Sequence, residues 1–375
     1  MKRREFVKTA SMGLGGLFLP TRGMANVQQL KEPAPVKIAL LGLGNYAEKQ
    51  LAPAIEQSRY AQLSGIVTGS PSKIPAWQRR YGVKDSNIYN YDTLDAVIEN
   101  SEIECVYIVT PPGNHAEFAI RCAQAGKHVI CEKPMAMSVD ECSKMIYASR
   151  KAQKLLQIGY RLYWDPYHIK LISLMRDKAF GDIKSMSSAF AFRLQAARKN
   201  VKGWMFDDAL SLGGALGEIG VYCAQSSFYL GQSQPTEVIA RKWTDRKTLF
   251  ESVPENWEWE TRWSDGFVSK QFAGWGEQQH FIDIDTDAGA ISLKPAFSYA
   301  GLNGFTPLGP LELTHIFQQK RQIDGQCLAI RGRRPNITSG EMGRRDVQLL
   351  AAVMESADSG QPLRLDPSIK NWALV

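Results

Sequence analysis

Three short stretches of this 375-residue chain carry side chains whose types and spacing could do chemistry. In VICEKPMA, Val129 to Ala136, a short apolar run that reads as a β-strand, Lys127 to Cys131, ends on Glu132, Lys133 and Pro134. A glutamate and a lysine suit a core badly. They suit the carboxyl edge of a parallel sheet, where open α/β folds bind their ligands, although an exposed strand end with a solvated lysine would read the same way. In EIGVY, Glu218 and Tyr222 stand four residues apart and so share one face of a helix; a buried core tyrosine is the plainer reading of Tyr222. The third stretch, GLGNYA from Gly42 to Ala47, is a G-x-G-x-x-A turn between a strand and a helix. Its glycines let the backbone approach a pyrophosphate, and the N-terminus of the following helix stabilises the anion.

The strand after that turn ends at Thr68, about twenty residues on, where an NAD-preferring site carries Asp or Glu for the ribose 2′-hydroxyl. Here TGSPSK offers the hydroxyls of Thr68, Ser70 and Ser72 and the cation of Lys73. That set suits a 2′-phosphate, so the expected cofactor is NADP, with NAD less favoured.

The elements that must position these residues can be read from periodicity. From residue 36 to residue 160, strand and helix signals alternate: KIALLGLG, AQLSGIVTG, ECVYIVTPP, HVICEKP and LLQIGYR as strands, with helical stretches such as PSKIPAWQRRYG, HAEFAIRCAQAG and VDECSKMIYASRKAQ between them. Such alternation implies a parallel sheet with helices on both faces. Beyond Arg161 a helix around His168 to Asp177 leads into long alternating segments, IKSMSSAFAFRLQ, TEVIARKWT, NWEWETRW, GFVSKQFAGW, QHFIDIDTD and GAISLKP, several separated by turns that favour antiparallel hairpins. In WEWETRW, Trp257, Trp259 and Trp263 share one face, which reads as core packing, with a sugar-stacking platform as the alternative.

Taken together, GLGNYA, IYNY, VYIVTPPGNHAEFAIRCAQAGKHVICEKPMA, IGYR and GGALGEIGVY resemble the Gfo/Idh/MocA oxidoreductases, and within them the glucose-fructose oxidoreductase branch. The resemblance runs from about Lys37 to Asp366 and is densest before Tyr163. It implies an α/β protein: an N-terminal Rossmann domain over 36–160, then an α/β domain over 161–375 with a large, open, mostly antiparallel sheet through which such chains form dimers or tetramers. It places Lys133 beside the nicotinamide and the reacting sugar hydroxyl, with a cis Lys133–Pro134 bond, and makes Tyr222 the proton-transfer residue. Glu218 stands where the family has aspartate, a departure that bears on the shape of the sugar pocket. By the same resemblance, Gly42, Gly44, Asn45, Tyr46, Thr110, Pro111, Asn114, His115, Glu132, Arg161 and Trp204 lie on the cofactor side. Met205 occupies the position where this branch often has arginine after the tryptophan. His115 reads equally well as an ordinary helix-start residue.

Charge and composition narrow the function further. Of the formal net charge of +7, the first 25 residues contribute +4, leaving +3 scattered over the rest, which gives little support to a nucleic-acid partner. No apolar run approaches the roughly 20 residues of a membrane-spanning helix. Residues 1–25 read as a twin-arginine export signal, with Arg3, Arg4, Phe6 and Lys8 in order ahead of a Gly-rich apolar stretch, and a basic tail as the alternative. Export machinery is then a partner, and the periplasm the expected location. The six cysteines include Cys105 and Cys131 in strand-like runs and Cys122 and Cys142 in helical ones, which suits buried free thiols, and none has zinc-ligand spacing. No metal is expected. The resulting expectation is an exported NADP-dependent oxidoreductase acting on a sugar or polyol, with the cofactor retained between turnovers and an arm around Val27 to Val36 covering its adenine side. The alternatives are a glycoside hydrolase using transient oxidation and a non-catalytic, cofactor-bound sugar sensor.

Overall fold

The first strand, β1 (Val36–Leu41), is completely apolar but for Lys37, and five of its six residues are buried. A strand of this kind belongs at the centre of a parallel sheet covered on both faces. In the computed structural model it lies between β2 (Ala61–Val67) and β4 (Cys105–Ile108), and β3 (Ile88–Tyr89), β5 (His128–Cys131) and β6 (Leu156–Ile158) extend the sheet in the order β3-β2-β1-β4-β5-β6, all parallel. This is the Rossmann order, with its switch point between β1 and β4. The structure describes residues 32–198 and 203–366; the export signal, the arm as far as Lys31 and part of the loop at 195–208 lie outside them. No helix among the described residues is long and apolar enough to cross a membrane.

Between the strands run α1 (Ala52–Glu56), α2 (Ile74–Tyr81), α3 (His115–Gln124) and α4 (Val139–Lys151). The helix after the glycine turn opens with a wide π-helical turn, Ala47–Leu51, ahead of Pro53. Proline has no N–H to return to the carbonyl four residues back and its ring crowds that carbonyl, so a widened turn accommodates it.

After α5 (Pro166–Arg176) the chain builds nine strands: β7 (Ile183–Ala191), β8 (Pro235–Trp243), β9 (Asn256–Trp263), β10 (Val268–Gly274), β11 (Gln279–Thr286), β12 (Gly289–Leu293), β13 (Gly304–Thr306), β14 (Gly309–Leu311) and β15 (Leu363–Arg364). Their order is β14-β13-β12-β11-β7-β10-β9-β8-β15, antiparallel except for the parallel pair β7 and β10. One face packs on α6 (Val221–Gly231), whose every residue is buried, and on α8 (Gly340–Ser359). The tryptophans of β9 point into this packed face and are core: Trp257 and Trp259 are each 1% exposed. The opposite face of the same strands carries Glu258, Glu260 and Arg262, each in a cross-strand ion pair, with Arg241, Lys270 and Glu237 respectively.

One helix escaped the sequence reading. The helix α7 (Gln318–Ile330) lies in the second half of the chain but sends Ile323 and Cys327, both fully buried, into the core around β1 and α1. The Rossmann sheet is thus completed by a helix from beyond residue 161, and the two halves form one compact unit from Ala34 onward. All six cysteines are free and buried.

Candidate active site

Lys133 leaves β5 at the carboxyl edge of the first sheet, followed by a cis bond to Pro134. Its ammonium donates to the Glu218 backbone carbonyl at 2.7 Å and to the Glu218 carboxylate at 3.0 Å. Both acceptors sit on a second π-helical turn, Leu216–Gly220, which leads into α6 and is pressed so tightly on its neighbour that a Cβ at Gly217 would lie 2.5 Å from the Leu212 carbonyl oxygen. Four residues after Glu218, the Tyr222 ring lies between two cations: its centroid is 5.2 Å from Lys133 Nζ and 5.0 Å from the Arg161 guanidinium carbon. Burial works against the Lys133 charge, but Glu218, Tyr222 and Glu132 outweigh it and hold the ammonium well above its ordinary range.

Arg161 is held from the second half of the chain. It donates to the carbonyls of Phe297 and Ser298 and to Gln318 Oε1, and lies 4.5 Å from the Tyr299 ring centroid. Tyr299 in turn stacks on Tyr46 at 6.3 Å, so a ladder of rings and cations runs from the glycine turn to Lys133. Beside Tyr222, Phe190 packs on Phe297 at 5.2 Å and edge-to-face on His280 at 4.6 Å. Burial and the nearby Arg161 charge push His280 down to about 4, so it presents a neutral ring. Tyr299, His280, Phe190 and Phe297 were missed from sequence. No spacing marks them, because they come from strands and loops that only tertiary folding brings together.

Glu132 points inward. Its carboxylate accepts from the Tyr107 hydroxyl at 2.8 Å and from the Lys133 backbone N–H at 3.3 Å, in a notch that exists because residue 159 is glycine: a Cβ there would lie 2.4 Å from Glu132 Oε1.

The sheet edge at the glycine turn is shaped by its backbone. Gly42 has φ +96°, and a Cβ on it would meet the Val109 carbonyl oxygen at 2.9 Å, so glycine is required for the turn itself. Gly44 has nothing within 4 Å of its would-be Cβ, so the backbone there is open to approach from outside the chain. Lys73 Nζ donates to the Leu43 carbonyl at 2.7 Å and Thr68 Oγ1 accepts from Ser70 N–H at 3.0 Å, which ties the loop after β2 to the glycine turn. Thr110 Oγ1, at the end of β4, is buried without a partner, an unusual state for a hydroxyl. These residues fit a nicotinamide dinucleotide.

Three of the residues expected on the cofactor side have protein neighbours of their own. His115 is fully buried with Nδ1 2.9 Å from the Pro134 carbonyl and Nε2 2.9 Å from the Thr110 carbonyl. It is a clamp between the loops after β4 and β5 rather than a wall of the cleft, and burial holds it below its ordinary value. Arg161 belongs to the aromatic wall, as described. Trp204, in a short 3-10 turn at Gly203–Phe206, is partly buried against the core, and Met205 beside it is 2% exposed, so that position is apolar core where an arginine would be unpaired. Asn45 is exposed, and Pro111 and Asn114 are half-buried at the same edge as Thr110.

The oxidoreductase family with an NAD-binding Rossmann fold, GFO_IDH_MocA, matches residues 36–160. Among solved structures, aldose-aldose oxidoreductase from Caulobacter crescentus, complexed with glycerol, is 30% identical and superposes with a TM-score of 0.84 over 88% of this chain and 100% of that one. A levoglucosan dehydrogenase in complex with NADH and levoglucosan, 20% identical, shares the fold with a TM-score of 0.75 over 88% of this chain and 99% of that one. A D-xylose 1-dehydrogenase [NADP(+)] from Haloarcula marismortui is 22% identical across 90% of this chain and 96% of its own length. In the first three curated relatives the matched stretch spans 44–59% of the relative's length. With the Rossmann order, the second open sheet and the paired Lys133 and Tyr222 already in place, the conclusion is direct: the chain belongs to the Gfo/Idh/MocA oxidoreductase family.

Proposed function

We propose that this chain transfers hydride between a sugar or polyol carbon and a nicotinamide dinucleotide, with NADP preferred to NAD. The observation that carries the reading is Tyr222 set between the Lys133 ammonium and the Arg161 guanidinium at the carboxyl edge of the parallel sheet. Tyr222 accepts the proton of the reacting hydroxyl, and Lys133 stabilises the oxygen as negative charge develops on it. When bound, the nicotinamide supplies the two-electron acceptor. Gly42 and Gly44 give the pyrophosphate backbone access, Thr110 offers its unpaired hydroxyl at the same edge, and Ser70 and Lys73 are exposed where a 2′-phosphate would sit. The aromatic wall of Tyr299, Phe190 and His280 faces the sugar. A sugar substrate is further supported by relatives named for aldoses and D-xylose, and NADP by the Haloarcula relative.

The export reading completes the proposal. A periplasmic enzyme delivered folded by the twin-arginine route would keep its dinucleotide through both half-reactions, so that one sugar is oxidised, leaves, and a second is reduced in the same pocket, with the open sheet joining copies into dimers or tetramers. Purification without added nucleotide, followed by denaturation and quantification, is expected to release near-stoichiometric NADP, and a two-substrate sugar panel to give parallel double-reciprocal lines. An empty protein that turns over only with soluble nucleotide overturns retention; no turnover with any sugar overturns the reaction class. Ser70→Asp, which sets a carboxylate where the 2′-phosphate would lie, is expected to move preference toward NAD by roughly tenfold. Wild-type protein that binds NAD as tightly as NADP removes the basis for that expectation.

A further inference from the structure

Two carboxyls lie near one ammonium at the centre of the site, and only one of them is bonded to it. Lys133 Nζ is committed to Glu218, through both its carbonyl and its carboxylate. Glu132, 7% exposed, has no ion pair among the described residues; its oxygens are met only by the Tyr107 hydroxyl and the Lys133 N–H. The Tyr107 hydroxyl is itself the acceptor of Gln322 Nε2 at 2.7 Å, while Gln322 Oε1 is buried with no donor. The surroundings of Glu132 are therefore short of hydrogens, and a buried carboxylate without a cation of its own is costly. A proton on Glu132 removes the surplus charge.

The groups facing Glu132 come from several elements: Tyr107 from β4, Tyr46 from the start of the helix after the glycine turn, Lys133 from its own turn, Glu218 from the π-helical turn and Gln322 from α7. Arg161 stands beside Tyr222, to which it also hydrogen-bonds, with its other hydrogen bonds directed to carbonyls and Gln318. Burial, with Glu218 adding to it, pushes Glu132 up to about 7 against the pull of Lys133 and the Tyr107 hydroxyl.

We infer that Glu132 is a positioning residue whose protonation state governs the reaction through Lys133: protonated, it leaves the ammonium's charge to the substrate oxygen, and ionised, it competes for that charge. The inference rests on the proposed hydride transfer and adds to it a pH-responsive group that is not Tyr222. No cofactor chemistry enters; one proton leaves the Glu132 carboxyl for solvent as pH rises.

The test uses the holoenzyme. In the direction of sugar oxidation, wild-type kcat is expected to fall severalfold between about pH 6 and 8 along the limb of a single ionisation. Glu132→Gln, which keeps the shape and holds that position neutral, is expected to lose this limb whatever its plateau height. Tyr107→Phe removes the hydrogen bond that favours the carboxylate, so its limb should move to higher pH. A limb that persists unchanged in both variants overturns the inference. Infrared difference spectra read the same group without turnover: the C=O band of a protonated carboxylic acid should titrate near neutrality in wild type and vanish in Glu132→Gln. No such band overturns the assignment even if sugars are oxidised. A titrating band in a protein that oxidises no sugar overturns instead the proposed function.

Discussion

The two sides of the cleft are built from different materials. On the Rossmann side the groups at the sheet edge are mostly backbone and short side chains from continuous loops: Gly42 to Tyr46, Thr68 to Lys73, Thr110 to Asn114. On the other side they are long side chains, Arg161, Phe190, Tyr222, His280 and Tyr299, drawn from separate strands, helices and loops and held by one another. The first side depends on the chain's ability to adopt a few special conformations. The second depends on mutual packing, so a change at one member is shared among its neighbours. Lys133 and Glu218 join the two sides across a single ion pair.

Breaking that junction should have the largest effect. Lys133→Met removes the charge opposite the developing oxyanion and is expected to lower kcat by roughly 10²–10³, about 3–4 kcal/mol, while nucleotide binding measured by fluorescence is retained. A near-normal kcat removes Lys133 from the mechanism. Next comes the backbone side. Gly42→Ala asks a side chain to adopt φ +96° and to approach the Val109 carbonyl oxygen to 2.9 Å, so a loss of about 2–3 kcal/mol, read as weaker nucleotide binding and a lower Tm, is expected. Nucleotide affinity within twofold of wild type would show that the turn is more tolerant than its geometry implies.

The packed wall should respond more gently and on a different observable. Tyr299 is 48% exposed, lies over Arg161 and stacks on Tyr46. Tyr299→Leu removes one face of the Arg161 sandwich, at a cost of about 1 kcal/mol. We expect the sugar KM to rise roughly fivefold to tenfold, with nucleotide affinity little changed. Equal losses in both would mean that the two sides of the cleft are not separable.

The same contrast explains what could be read from sequence. The glycine turn, the Glu-Lys-Pro edge and the alternation of strands and helices are local patterns, and a parallel sheet with helices on both faces followed from them; the Rossmann domain was implied by the family resemblance. The tryptophan face of β9 was legible because strand periodicity alone assigns it a side. The parallel pairing of β7 with β10 was not, since hairpin-like turns suggest antiparallel neighbours and register between distant strands leaves no local mark. The helix α7 was missed because its buried face carries Gln318, Gln319, Gln322 and Gln326, all 0–1% exposed, where a core helix ordinarily carries apolar residues. For His115 and Arg161 the sequence did not show their protein neighbours: a histidine wedged between two carbonyls and an arginine set against aromatic rings look, in sequence, like any polar residue near a cofactor loop.

The smallest expected effect concerns stability and isolates Glu132 from catalysis. Its folded value of about 7 lies above its ordinary 4.5, so between those values the folded chain holds a proton that the unfolded chain has released. The sign follows from linkage: this contribution to stability is complete below about pH 4.5 and is lost as pH rises through 7, levelling off beyond. Glutamine at 132 titrates nowhere, so the stability of wild type relative to Glu132→Gln should decline by about 1 kcal/mol between pH 6 and 8, a difference of about 2 °C in Tm. The comparison is made on the two proteins side by side, so titrations common to both cancel. A difference that is flat across this range would mean that the Glu132 carboxyl ionises in the folded protein as it does in water, and that the Gly159 notch, the Tyr107 hydroxyl and the Lys133 N–H together solvate its charge fully.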